Sequence, residues 1–372
     1  MGKYGKKNSV DLNPLHYNIA FLGEGGIGKT TLCYQMCEKL VGDEGYMHFD
    51  IGKEDGADAI EGVVTEKIEN WDKFEEVIDD IVENKETDYP HLQVIIIDTY
   101  DELIPMAEDK AVRIWNKRNS DKKAETINGA WNGFGKGQDK AAELILNNIW
   151  RFKSVNVHPI IIFHVKRSDI IDPITQTTYS KLTADAQQRY FNAIKNKMHF
   201  VGFAYIDRDI INEKTGRKDI KGKDITTNKV MAENRVISFR DNNYSVDSKS
   251  RFADIVDKIP FDVDAFIKAM QDAILAEKSK SGKSEAEIKK EQSERDKAAA
   301  IAAAEYSKSA KTNKIDLDRN EEIIAEIKSR FTDATEEIQS AIKSKMIEVG
   351  LKNFKDTEVP TASLEAVLAV LG

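Results

Sequence analysis

Two cysteines in 372 residues, Cys33 and Cys37, are too few and too close together for a disulfide framework. They predict free thiols in a reducing cytoplasm, and they fall two ligands short of a structural zinc site. Proline (7) and glycine (21) are too scarce for a collagen-like or low-complexity chain. Long apolar runs are missing as well. The longest, 94–97 and 159–163, are far below the roughly 20 residues that span a bilayer, so no membrane helix is expected. No apolar stretch follows the basic N-terminal residues, which argues against a secretory signal. What remains is a chain 41 % hydrophobic and 32 % charged, enough apolar material for a sizeable core. At about 100–200 residues per domain, its length predicts one large domain with a smaller companion, or two domains.

A net charge of −9 gives no overall basic footprint for nucleic acid. The distribution is uneven, however. Residues 41–100 hold 18 acidic against 4 basic side chains, a solvated acidic face, while residues 151–200 hold 8 basic against 3 acidic.

Short β-branched runs at 17–23, 92–98 and 159–165, with a weaker one at 47–51, read as buried strands. Helical spacing between them, over 30–40, 71–82 and 140–152, gives an α/β fold with a mostly parallel central sheet covered on both faces. Further strands at 203–206 and 236–239 flank a polar, hairpin-like stretch. The chain divides into an N-terminal tail (1–14), a large α/β domain (15–276), a charged linker or solvated helix (277–318) and a three-helix module (319–372). In the module, Asp333 before Glu336 reads as a capping signal and Gly350 as a stop.

Gly23-Glu24-Gly25-Gly26-Ile27-Gly28-Lys29-Thr30 matches G-x-x-x-x-G-K-[ST] between an apolar strand and an amphipathic helix. Its glycines let backbone N–H groups converge on phosphates at the positive end of a helix. Lys29 would neutralise the β- and γ-phosphates, Thr30 would offer its hydroxyl to Mg²⁺, and Thr31 would complete the ATP cradle. Asp98, closing Val94-Ile-Ile-Ile, is the expected carboxylate for the metal's water shell. The group that orients the attacking water is open among Asp50, Glu54, Asp101 and Glu102, with Glu54 carried forward beside Lys29, Asp98 and His164 as a catalytic candidate. His164 ends the third strand at the P-loop side and is a candidate γ-phosphate sensor. After it, Lys166, Arg167, Lys181 and Arg189 form a basic stretch interleaved with Tyr179 and Tyr190, suited to a phosphate backbone and stacked bases. Arg113 to Lys123, with Trp131 and Phe134 beyond, is a second such stretch.

Four segments, the P-loop, YMHFDIGKEDGAD (46–58), VIIIDTYDEL (94–103) and GFGKGQDKAAELILNNIWRFKSVNVHPIIIFHVKR (133–167), resemble the RecA-like branch of the phage Sak single-strand annealing proteins. The stretch RVISFRDNNYSVDSKSRF (235–252) is similar to that family's closing strand and turn. The resemblance spans roughly 15–275 and implies a RecA-like core that uses Mg-ATP and binds single-stranded DNA during annealing, recombination or replication in the host cytoplasm. It also implies oligomers in which Lys249 or Arg251 reaches a neighbour's ATP site, and contact with a single-strand-binding protein or other replication partner. The alternatives are a P-loop ATPase acting on a protein, such as a helicase loader or an assembly regulator, and a small-molecule kinase.

Overall fold

The computed structural model describes residues 8–53, 56–218, 224–242, 245, 247–332, 334–354, 357 and 359–371. The apolar runs form the central strands β1 (Ile19–Gly23), β2 (Tyr46–Ile51) and β4 (Val94–Asp98), with short β3 (Thr65–Ile68) after β2. Helices α1 (Lys29–Val41), α2 (Trp71–Glu83), α3 (Tyr100–Arg118) and α4 (Lys136–Ser154) lie between and after them. Next come β5 (His158–Ile171), β6 (Thr178–Ala184), α5 (Gln188–Lys195), β7 (Phe200–Lys218), β8 (Asp224–Ser238), β9 (Lys249–Ser250) and β10 (Lys258–Pro260). The chain ends in α6 (Val263–Ser279), α7 (Glu285–Asn313), α8 (Leu317–Thr332), α9 (Glu336–Glu348) and α10 (Thr361–Leu368).

The sheet order is β10-β8-β7-β1-β5-β4-β2-β3. The strands from β7 to β3 are parallel, and β8 pairs antiparallel with both β7 and β10, so this is an α/β fold with a mostly parallel sheet. Strand alternation explains its two cores. Ile19, Phe21, Ile96 and Ile162 point to one face, where α1 and α6 supply Leu32, Met36, Phe266 and Met270. Ala20, Leu22, Ile97 and Phe163 point to the other, met by Phe74 and Ile78 of α2, Leu103 of α3 and Ile145 of α4. A strand buried on both faces has no polar side, which is why β1 and β4 read as unbroken apolar runs. Cys33 and Cys37 are free and buried in α1, where burial pushes both thiols up.

Two arms extend beyond the sheet's carboxyl edge. The third strand, read from sequence as ending at 165, continues to Ile171 and turns back as β6, with Val165 opposite Ala184 and Ile171 opposite Thr178. Its turn is set by Asp172, whose Oδ1 accepts from the amides of Ile174 (3.0 Å) and Thr175 (2.7 Å). The basic stretch after His164 therefore begins as a hairpin. The second arm is the β7–β8 hairpin.

Helix α7 opens with a Ser284/Glu287 capping box, and Ala303 and Ser307 are buried where it lies against α2. Ser307 Oγ donates to the Glu83 carbonyl at 2.9 Å, and Gln292 holds Asp11 at 2.8 Å. Helices α8, α9 and α10 pack around Ile323, Ile327, Ile342, Leu364 and Val367. The cap of α9 is Thr335, which accepts from the Ile338 amide, and Asp333 lies outside the described residues. Gly350 stands just past α9 at φ +76°, a conformation that favours glycine. Among the described residues no helix is long and apolar enough to cross a membrane.

At the opposite edge from the arms, His158 opens β5 and stacks on His16 with ring centroids 4.7 Å apart. Burial, with the neighbouring His16 and Lys153, pulls its pKa down to about 3. The unfolded chain takes up this proton near pH 6.5, whereas the folded chain refuses it until about 3. The stability is complete above pH 6.5 and falls as pH drops, by up to about 1.4 kcal/mol per unit. Urea unfolding at pH 7 and pH 5 checks this: His158→Phe should shrink the difference, leaving the share of His199, whose pKa burial also pulls down to about 4, and an unchanged difference would contradict it.

Candidate functional site

The P-loop joins β1 to α1 at the carboxyl edge of the sheet, where β5 and β7 flank β1. Gly26 (φ +72°) and Gly28 (φ +104°) adopt left-handed conformations that a side chain would strain. A Cβ built on Gly25 or Gly26 meets nothing within 4 Å, so the rim of the loop is open above its amides. A Cβ on Gly23 would come 3.1 Å from Ala204 and Ile27, which fixes the loop's first residue against β7. Lys29 is buried, and its ammonium donates to the carbonyls of Gly23 (2.9 Å) and Glu24 (3.1 Å), spanning the loop.

The metal end is assembled by the sheet. Thr30 Oγ1 donates to Asp98 Oδ2 at 2.5 Å, and His48 Nε2 lies 3.1 Å from the same oxygen. His48 is a residue that the sequence reading did not single out. It is buried in the middle of β2, next to β4, and Asp50 stands in register with Asp98. A histidine interrupting the apolar strand beside the one that ends in Asp98 is the signal that could have found it. The donor set, one hydroxyl and a carboxylate held from two sides, is the chemistry that a hydrated Mg²⁺ requires. Thr30 and Asp98 would hold such an ion, and Lys29 with the amides of residues 23–31 would hold the nucleotide's phosphates. When bound, the ion neutralises phosphate charge.

Register places His164 of β5 beside Gly23. Its amide donates to Asp101 Oδ1 at 3.0 Å, and its Nδ1 lies 2.9 Å from Asp101 Oδ2. Burial alone would raise the Asp101 carboxyl, but the bonds from the His164 ring and backbone outweigh it and hold it below the ordinary range. An ionised Asp101 accepts from the His164 ring and holds it in place beside the P-loop. Asp101, one of the water-orienting candidates, is thus engaged as the orienter of His164. Glu102 faces Gly52, where an added Cβ would meet its Oε2 at 3.0 Å. Glu54 lies outside the described residues.

The basic candidates separate. Lys166 and Arg167 are exposed on the β5 arm, Lys166 paired with Asp185 at 3.0 Å. Lys181 donates to the Asn242 carbonyl at 2.6 Å and lies over the Tyr179 ring. Arg189 is bonded to the Gly135 carbonyl and paired with Asp139. Tyr190, expected among the stacking aromatics, is buried and donates its hydroxyl to Glu108 at 2.6 Å, so it is a core residue. In the second stretch, Arg113 is paired with Asp72 and Asp109, and Trp131 Nε1 donates to the Ala111 carbonyl, whereas Phe134 is 99 % exposed. Lys249 and Arg251 lie beside the start of β7, across the sheet from Lys29. Both donate to carbonyls at or just past the end of α5: Lys249 to Lys195 at 2.8 Å, and Arg251 to Met198 at 3.1 Å and Asn196 at 2.5 Å. Within the chain their work is to cap that helix end.

A protein-family model described as AAA domain matches residues 15–252, more than half of the chain and all of the P-loop edge. The chain belongs to this AAA domain family. The family is one of P-loop ATPases, and the AAA domain here contains Lys29, Thr30, His48, Asp98 and His164. No curated protein matches the chain. Helices α6 to α10 follow the matched AAA domain, and α6 packs on α1 through residues of the same core, including Met36 and Met270.

Proposed function

We propose that this AAA-domain protein is a Mg-ATP-dependent, RecA-like ATPase that binds single-stranded DNA and serves its annealing, recombination or replication. The observation that carries the reading is the continuity of β5. One strand holds His164 beside the P-loop and, two and three residues later, Lys166 and Arg167 on an exposed arm. A shift of His164 on loss of the γ-phosphate would be passed along a paired strand to groups that meet a phosphate backbone. A small cavity of about 160 Å³ supports the link, since Glu24 of the P-loop lines it together with Arg167, Lys181 and Arg208 from the two arms. The resemblance to the phage annealing proteins points to the same partner.

One feature favours a protein partner instead, a helicase or an assembly. The tip of the β5–β6 arm exposes Ile171 (61 %) and Ile174 (89 %), apolar groups that suit a protein surface. Binding of a labelled oligothymidylate, followed by fluorescence anisotropy over a salt series, tests the DNA reading. The double variant Lys166→Ala/Arg167→Ala should bind at least tenfold more weakly. Its slope of log K against log salt should fall by about 1.4, at about 0.7 per single-strand phosphate contact. Absence of binding by the parent protein, or an unchanged slope in the variant, would overturn the DNA reading.

A further inference from the structure

Just before α4 the backbone makes a left-handed turn of five consecutive residues: Trp131 (φ +57°), Asn132 (φ +64°), Gly133 (φ +71°), Phe134 (φ +52°) and Gly135 (φ +79°). Three of them carry a Cβ that strains this conformation, so the turn persists only because its surroundings hold it. On one side, Trp131 Nε1 donates to the Ala111 carbonyl at 3.0 Å, and its ring centroid lies 5.9 Å from that of Trp115 in α3. On the other, the Gly135 carbonyl accepts from Arg189 of α5. Within the turn the Gly133 amide donates to the Ala130 carbonyl and the Lys136 amide to the Gly133 carbonyl, both at 3.1 Å.

What this anchored turn presents is Phe134, at 99 % the most exposed large apolar side chain among the described residues. A lone phenylalanine on a slack loop would need no account. Here the backbone that carries it is fixed before any ligand arrives, which lowers the cost of ordering it on binding. The setting is basic: residues 113–140 hold seven Lys or Arg against three Asp or Glu, and Lys122, Lys123 and Lys136 are exposed. The turn is also tied to the β5–β6 arm, because the Arg189 that bonds Gly135 lies in α5, and only residues 185–187 separate α5 from β6. A ring without a hydrogen-bonding group can lie on the face of any base and reads none of them, while cations near it take the phosphates.

We infer that Phe134 is a base-stacking group, its ring laid against an unpaired base of a single strand whose backbone the neighbouring cations hold. The inference rests on the DNA reading above and adds to it a preference for unpaired bases, whose faces a duplex keeps covered. Two labelled probes of equal length separate the parts: an oligothymidylate carries bases and phosphates, and an abasic oligomer carries phosphates alone. The ratio of their affinities, read by fluorescence anisotropy with the full chain, reports contact with the bases. The parent should favour the thymidylate probe at least tenfold. Phe134→Ala should lower that ratio at least fivefold, with the abasic affinity and the salt slope kept. Phe134→Leu, apolar but without a π face, should lower it as well, and Phe134→Tyr should keep it. A ratio that moves less than fivefold in both the alanine and leucine variants, or a tyrosine variant that falls as far as alanine, overturns the stacking role. A parent that binds both probes equally overturns it too and leaves the DNA reading standing, whereas a parent that binds neither probe overturns the DNA reading and this inference with it.

Discussion

Lys29→Ala reduces nucleotide turnover by at least a hundredfold, because it removes the one ammonium that the fold buries inside the loop. Its two contacts to the carbonyls of Gly23 and Glu24 hold the side chain across the phosphate cradle. A bound triphosphate would take those donors and gain a charge partner largely out of water. Alanine leaves the loop's glycine geometry intact, so the effect falls on nucleotide affinity rather than on folding. Mg-ATP titration and steady-state phosphate release should both collapse while the unfolding midpoint stays close to that of the parent. Parent-like turnover in Lys29→Ala would overturn the site.

Asp98→Asn separates binding from hydrolysis. The carboxylate receives Thr30 and lies beside His48 on one oxygen, so it is held on the metal side of the loop before any ligand arrives. Asparagine keeps the shape and one acceptor but removes the charge that would hold a divalent ion's water shell. ATP affinity should stay within a few fold, while turnover drops at least a hundredfold, about 2.7 kcal/mol of transition-state stabilisation. Full activity at saturating Mg²⁺ in this variant would remove Asp98 from the metal site.

Chemistry that lies in one short segment was legible in the sequence. The glycine spacing of 23–30 needs only its own backbone, and strands buried on both faces announce themselves as unbroken apolar runs, as at 94–97. The residues that complete the site come from elsewhere in the chain. His48 becomes part of it only when β2 pairs with β4, and Asp101 is claimed by His164 across 63 positions. Helix α3 was missed because Pro105 interrupts its pattern in the second turn. The β5–β6 arm was not legible as a hairpin because a solvated hairpin carries no continuous apolar face; only its Asp172-Pro173 turn gave a local sign. Tyr190 went astray for the opposite reason, since an aromatic among cations reads as a stacking group until its burial against α3 is seen.

The most direct test of the account is steady-state ATP hydrolysis by the full chain with and without single-stranded DNA, with Lys29→Ala in parallel. The account predicts basal turnover stimulated several-fold by DNA, stimulation that fades as salt rises, and none of it in Lys29→Ala. Intact basal turnover that DNA leaves unchanged at every salt concentration would contradict it and assign the arms to a protein partner.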